Sequence, residues 1–123
     1  HLTQRSCDVA LGVPYNIAGY SFLLHLFAHL SDMKVGTFGH TLVDAHIYTK
    51  KADGSMEEYD HIPGLIKQTK RKIKPLPELK IDSSINTLED VMNLLDKDTE
   101  TIMSKFKLKN YNPEPFIPFK VAV

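Results

Sequence analysis

Side chains able to do chemistry are concentrated in one stretch near the start of the sequence, residues 4–20. Arg5 and Ser6 are a candidate phosphate site, because a planar guanidinium makes paired hydrogen bonds to phosphate oxygens. The alternative is an arginine on a strand surface. Cys7, close to Arg5, could be an activated nucleophile. Free cysteines are among the most buried residue types, however, which favours a packing role for Cys7.

Asn16 is the next candidate in this stretch. It falls in the first turn of a predicted apolar helix, where an amide must find partners for both its donor and its acceptor. The O4 and N3–H edge of uracil matches that pair. Capping of the local backbone is the alternative.

Two further pairs of residues have spacings that could form a ligand site. His25 and His29 are four apart on the predicted helix, as in some metal sites, but no third ligand is near. Core histidines bonded to backbone are therefore expected, and no metal site is predicted. His46 and Tyr48 share one face of a predicted strand and could bind a ribose hydroxyl. The alternative is a polar face open to water.

The elements that position these residues follow from periodicity and turn residues. Residues 2–11 and 40–48 are predicted strands, and the apolar run from Pro14 to Met33 predicts a helix buried on nearly all sides. The expected class is α+β, with one mixed sheet of strands 2–11, 40–48 and 78–81 packed on that helix. Other predicted elements are a helix at 61–72, short helices at 87–95 and 99–104, an edge strand at 105–109, and an extended, proline-containing tail at 111–123.

Composition narrows the functional classes. The 123 residues carry 15 Lys and Arg against 15 Asp and Glu, so the net charge does not indicate a nucleic-acid or membrane protein. The basic run 67–74 is a conceivable nucleic-acid patch, but no aromatic residues interleave with it, and a solvated helix face is the safer interpretation. The single cysteine excludes an internal disulfide, fits a reducing compartment, and leads us to expect a cytoplasmic protein without a signal peptide.

Three ordered motifs resemble the thymidylate synthase family. They are Gln4–Asp8, Leu11–Tyr20 and His40–Tyr48, and the similarity continues to Val121–Val123 and covers nearly the whole chain. The resemblance implies that residues 1–123 are the C-terminal part of a single synthase domain, with 49–60 as an inserted, exposed loop. The sequence also starts within a strand-like stretch and without Met, which we interpret as a further indication of a C-terminal part of a longer protein. The implied reaction is methylation of dUMP to dTMP, with 5,10-methylenetetrahydrofolate as donor of carbon and hydride.

The resemblance also implies roles for the nucleotide-binding residues. Arg5 and Ser6 would bind the dUMP phosphate, together with arginines from the other subunit of a homodimer. Asn16 would read the uracil edge. Asp8 would lie between base and folate and support the polar network there, so Asp8 and Asn16 are the expected catalytic residues.

The sugar and the folate have their own implied contacts. His46 and Tyr48 would bind the 3′-hydroxyl of the sugar. Besides Asp8, Gly12 and Tyr15 would border the folate, with Tyr15 standing where the family usually has Phe. Val123 and the tail would close over the folate as a lid.

The sequence also departs from the family pattern. The nucleophilic Cys of the family lies in a Pro-Cys-His stretch that is not among these residues; Cys7 matches a different Cys, so this stretch alone is expected to be inactive. Val43 stands where Gly is common, and Asp60 and His61 stand where the family has an Asn-His pair.

Two other functions are kept as alternatives. One is a dUMP hydroxymethylase, which adds water instead of hydride to the same exocyclic methylene; Asn16 argues against the cytosine-type relative, which carries Asp there. The other is a non-catalytic nucleotide-binding or dimerisation fragment.

Overall fold

The computed structural model describes residues 1–121, and the chain divides into two compact units. Unit 1 contains 1–20, 38–73 and the segment from 113 onward, and unit 2 contains 21–37 and 74–112. In the described residues, no helix is long and apolar enough to cross a membrane.

A parallel pair of strands forms the sheet of unit 1. Strand β1 (Leu2–Asp8) pairs with β2 (His40–His46), with Ser6 opposite Asp44 and Asp8 opposite His46. Parallel strands bring their carboxyl ends to the same edge. Asp8 and His46, the last residues of the two strands, therefore lie side by side.

The long helix α1 spans Gly12–Leu30, so the prediction of 14–33 was two residues late at its start and three residues late at its end. The helix ends where Asp32 adopts a left-handed backbone, φ 51°, and the Met33 N–H bonds to the Ala28 carbonyl at 2.8 Å, a common way for a helix to stop. The expectation of burial on nearly all sides was wrong for this chain, because Tyr15 and Phe27 are 73% and 59% exposed. Residues 1–121 cover only part of the circumference of α1.

Unit 2 has its own sheet and core. Strand β3 (Glu78–Ile81) pairs antiparallel with β4 (Phe106–Lys109). The short helices α3 (Leu88–Leu94) and α4 (Thr99–Ser104) lie between them in sequence. The core consists of Leu26, Ile85 and Leu94, with partly buried neighbours that include Phe22, Ile81 and Phe106.

The α+β class is confirmed, but the single mixed sheet is not. Residues 78–81 pair with 106–109 and not with 2–8 or 40–46, which gives two two-stranded sheets. A residue pattern predicts which face of a strand is buried, but strand pairing depends on contacts distant in sequence.

Helix α2 spans Ile62–Thr69 and follows the polar stretch predicted to be a loop. Residues 49–58 of that stretch are exposed, and a single 3-10 turn, Glu57–Tyr59, precedes the helix. The stretch is therefore exposed as expected; its origin as an insertion stays a prediction. From 110 to 121 the chain has no helix or strand, as the prolines predicted.

Candidate functional site

The candidate site is built around the end of β1. The Asp8 Oδ1 atom accepts hydrogen bonds from the backbone N–H groups of Ala10 at 3.0 Å and Leu11 at 3.4 Å. An Asp carboxylate that accepts a hydrogen bond from the backbone N–H two residues later forms an Asx turn. It ends the strand at Asp8, three residues before the predicted end, and leads the chain into α1 at Gly12.

Gln4, which was not predicted to have a role of its own, is the centre of a polar network in unit 1. Its Nε2 donates to the Asn16 Oδ1 atom and to the Ser6 carbonyl, each at 2.9 Å. Its Oε1 lies 3.0 Å from the Nε2 of His40. The Ser6 carbonyl fixes the orientation of the Gln4 amide, because a flipped amide would point its oxygen at that acceptor.

The fixed Gln4 amide also fixes the amide of Asn16. Since Gln4 donates, the atom of Asn16 that receives the bond is its oxygen. One lone pair of Oδ1 and both hydrogens of Nδ2 remain for another partner. Half-buried Asn16 thus presents one acceptor beside two donors. Its role in reading uracil stays a prediction, and within residues 1–121 its only side-chain hydrogen bond is the one from Gln4.

His46 and Tyr48 stand at the end of β2. The Nδ1 of His46 lies 3.1 Å from the Asp44 carbonyl, and its ring meets the Tyr48 ring edge-on, with 5.4 Å between centroids. Both side chains are about one-third exposed, His46 by 31% and Tyr48 by 36%. Their polar atoms therefore remain open to a ligand.

Arg5 and Ser6 are exposed on β1. Arg5 has no hydrogen-bond or ion-pair partner among residues 1–121, so its guanidinium is available to an external anion. Ser6 faces Asp44 across the parallel pair. The phosphate role of this pair stays a prediction.

Two of the residues expected to border the folate, Gly12 and Tyr15, lie beside Asp8 or Asn16. A Cβ atom on Gly12 would lie 3.5 Å from the Asp8 Cβ and 3.7 Å from the Asn16 Oδ1, so Gly12 is adjacent to both side chains. Tyr15 is exposed one helical position before Asn16. Val123 lies outside the described residues.

Cys7 is fully buried, and its thiol donates to the Gln4 carbonyl at 3.2 Å. Nucleophilic cysteines are at least partly accessible. The packing interpretation of Cys7 is therefore confirmed.

One of the two helix histidines and two basic residues make internal contacts. His29 bonds through Nε2 to the Ile85 carbonyl at 2.7 Å, as expected for a histidine satisfied by backbone, but it is exposed and is therefore not the core histidine that was predicted. No cluster of three metal-binding side chains occurs within residues 1–121. In the basic run, Arg71 donates to the Pro115 carbonyl at 2.5 Å and Lys74 to the Asn112 carbonyl at 3.0 Å.

His61 is the second residue near the site that was not predicted to belong to it. It is 1% exposed, and its ring lies near Asp8, with 4.0 Å between Nδ1 and Oδ1. His61 could have been predicted from the sequence because it stands at the Asn-His position of the family. Gln4 could have been predicted because it is the first residue of the first motif.

Comparisons with known proteins identify the family of this chain. A family model described as "Thymidylate synthase" matches residues 1–123. The thymidylate synthase of Saccharomyces cerevisiae is 38% identical over 122 residues, which are 99% of this chain and 34% of the yeast protein. The human thymidylate synthase is 37% identical over the same length, 33% of the human protein.

A solved structure gives the same result. The thermostable thymidylate synthase A from Bacillus subtilis superimposes with a TM-score of 0.73 at 29% identity, covering 98% of this chain and 36% of that one. The chain thus spans about a third of the length of the relatives it matches. With its family match over every residue, this chain belongs to the thymidylate synthase family.

Proposed function

We propose that the protein containing these residues methylates dUMP to dTMP with 5,10-methylenetetrahydrofolate, and that this chain supplies groups that bind the nucleotide. The observation that carries the proposal is the Asn16 amide, held by Gln4 in the orientation that complements uracil. Family membership supports the same reaction.

Base recognition is the first step. Nδ2 of Asn16 donates to O4 of the base, and the free lone pair of Oδ1 accepts from N3–H. Cytosine presents the opposite pattern, a donor at C4 and an acceptor at N3. Hydrogen bonds that must be left unmade discriminate strongly between related substrates.

The rest of the nucleotide binds along the same strands. Arg5 and Ser6, exposed on β1, contact the phosphate, joined by arginines of a partner subunit in a homodimer. His46 and Tyr48, at the end of β2, bond the 3′-hydroxyl of the sugar. The accessibility of these four side chains supports the assignment.

The folate occupies the side marked by Asp8, Gly12 and Tyr15. Asp8 lies between base and folate and orients the polar groups there, so that Asp8 and Asn16 act in the chemical step. The tail that includes Val123 closes over the folate and excludes water from the reaction.

The nucleophile comes from outside these residues. Cys7 is buried and bonded to backbone, so it cannot attack C6 of the base. We infer that residues 1–123 alone are inactive and that the rest of the protein provides the thiolate. One free cysteine in this chain supports a reducing, cytoplasmic compartment.

The experiment is an assay of the whole protein with dUMP and methylenetetrahydrofolate. We expect dTMP and dihydrofolate in equal amounts. 5-Hydroxymethyl-dUMP without dihydrofolate would instead identify the hydroxymethylase, and no turnover with intact dUMP binding would identify the non-catalytic binding function.

Asn16→Asp tests the base contact in the same assay. The carboxylate has no donor for O4, so we expect weaker dUMP binding and a preference shifted toward dCMP. An unchanged ratio of the two dissociation constants would contradict the role given to Asn16.

A further inference from the structure

His61 lies directly before α2 and is held on several sides. Its backbone N–H donates to the Tyr48 carbonyl at 3.1 Å. The rings of Tyr48 and Phe119 pack edge-on against the imidazole, with centroid distances of 5.7 and 5.0 Å. Because the side chain is 1% exposed, this packing fixes the orientation of the ring.

The Nε2 atom of His61 contacts the C-terminal segment, residues 113–121. It is 2.9 Å from the carbonyl oxygen of Lys120. A carbonyl oxygen only accepts, so Nε2 carries the hydrogen of this bond. In an imidazole that carries only this hydrogen, Nδ1 is an acceptor.

The Nδ1 atom faces the other side, toward Asp8. It is buried without a hydrogen-bond partner among residues 1–121 and lies 4.0 Å from the Asp8 Oδ1. This distance is too long for a hydrogen bond. Nδ1 has almost no accessible surface in this packing, so a donor that carries two hydrogens, such as a water molecule, can bridge the two acceptors only after a small shift of the ring or the carboxylate.

We propose that His61 is a positioning residue that links the C-terminal segment to the Asp8 carboxylate. Nε2 holds the Lys120 carbonyl, and Nδ1 shares a donor with Asp8. A shift of Lys120 moves the ring, the ring moves the shared donor, and the donor reorients the carboxylate. Ordering of the C-terminal segment and orientation of Asp8 therefore occur together.

The link rests on the proposed function, because Asp8 and the C-terminal segment both serve the folate there. It adds a residue to which the family comparison gave no role. It also predicts which substrate His61 affects most: folate binding needs both ends of the link, whereas dUMP depends on His61 only through Tyr48, whose ring packs against the imidazole.

The first test is nitrogen-15 NMR of the histidines in the whole wild-type protein at neutral pH. We expect His61 to carry its hydrogen on Nε2, with Nδ1 showing the shift of a hydrogen-bonded acceptor. A hydrogen on Nδ1 would overturn the proposal. This measurement needs no variant and therefore does not depend on a variant folding.

The second test uses a pair of substitutions in the whole protein. His61→Gln keeps an amide nitrogen near the Nε2 position and His61→Asn keeps one near the Nδ1 position, so each breaks one end of the link. We expect the KM for methylenetetrahydrofolate to rise roughly tenfold in each, the effect of about one hydrogen bond. The Kd for dUMP should stay within about twofold, a change too small to reflect a lost hydrogen bond.

His29→Gln is the matched control. His29 also bonds a backbone carbonyl through Nε2, that of Ile85, and has no role in the proposed site. If His61 were merely structural, the His61 and His29 variants would lose stability alike and the folate KM would not separate them. That result would overturn the proposal.

A third measurement separates failure of this link from failure of the proposed function. If the wild-type protein does not turn over dUMP, the proposed function fails. Hydrogen exchange of the amides of 113–121 then tests the link without activity. Faster exchange in His61→Phe than in His29→Gln is expected, and equal exchange would overturn the link.

Discussion

Gln4 holds Asn16 through a 2.9 Å hydrogen bond in which the Gln4 Nε2 is the donor. His40 and the Ser6 carbonyl bond the other parts of the Gln4 amide. Under the proposed function, the direction of this one bond decides which atoms Asn16 offers to a base, and therefore which pyrimidine it complements.

Gln4 is expected to control the choice between dUMP and dCMP. In Gln4→Glu, the carboxylate can only accept, so the Asn16 amide turns and presents the complement of cytosine. In Gln4→Leu, the amide is free to adopt both orientations. We expect the preference for dUMP to fall roughly tenfold in Gln4→Leu, the worth of about one hydrogen bond, and further in Gln4→Glu.

Competition binding of the two nucleotides measures this preference. Gln68→Leu, an exposed position on α2, is the control and should keep the wild-type ratio. Loss of affinity for both nucleotides in equal proportion would mean that Gln4 supports the fold of the site and does not orient Asn16.

The contact between α2 and the C-terminal segment can be tested at Gly64. A Cβ atom there would lie 2.5 Å from Cε1 and 2.9 Å from Cζ of Phe119, and 3.2 Å from Cγ2 of Ile117. Gly64→Ala must displace the Phe119 ring, and we expect a loss of about 1–3 kcal/mol of stability, typical of overpacking. Denaturant unfolding of the whole protein measures the change.

Gly19→Ala is the control for Gly64→Ala, because an added Cβ at Gly19 meets no other atom of residues 1–121. Gly19 lies within α1, and nothing lies within 4 Å of its added Cβ. Because alanine is the better helix former, this variant should gain up to about 1 kcal/mol. Equal effects of the two substitutions would show that the Phe119 contact does not restrict Gly64.

Asp82 should contribute to resistance against acid in unit 2. The Ser84 side chain and backbone N–H, and then Lys105, donate to its carboxylate and lower its pKa from 3.8 to about 2. A lowered pKa in the folded state means stability that is fully present above pH 3.8 and is lost as the pH falls through about 2. Asp82→Asn should therefore unfold with less dependence on pH in this range.

Acid titration followed by circular dichroism compares Asp82→Asn with wild type. Asp96→Asn is the control, since Asp96 is exposed and its side chain makes no hydrogen bond or ion pair with residues 1–121. A wild-type acid profile in Asp82→Asn would show that these hydrogen bonds are not maintained in solution.

Deletion of Val123 tests the lid role of the tail. We expect turnover and the folate KM to worsen while the Kd for dUMP changes little, because closure serves the folate step. Steady-state kinetics and dUMP titration measure the two effects separately. A kinetically silent deletion would contradict the lid.

Local features were predicted well because they depend on neighbours in the sequence. The acidic start of α3 is one example: Thr87 and Asp90 form a reciprocal capping box, a pattern of residues three apart. The strand at 78–81 and the packing role of Cys7 were also predicted. Element ends were less accurate, as at Asp8, where a side-chain bond to the backbone stops the strand.

By itself, the sequence determined the family, the α+β class, the chemical types in the site and the helix and strand segments, because motifs and periodicity reside in consecutive residues. Only the tertiary structure decided that β3 pairs with β4, that Gln4 orients Asn16, and that buried His61 lies between Asp8 and Lys120. These relationships join residues 12 to 59 positions apart. Nothing in either partner's local sequence specifies the distance or the direction of the bond between them.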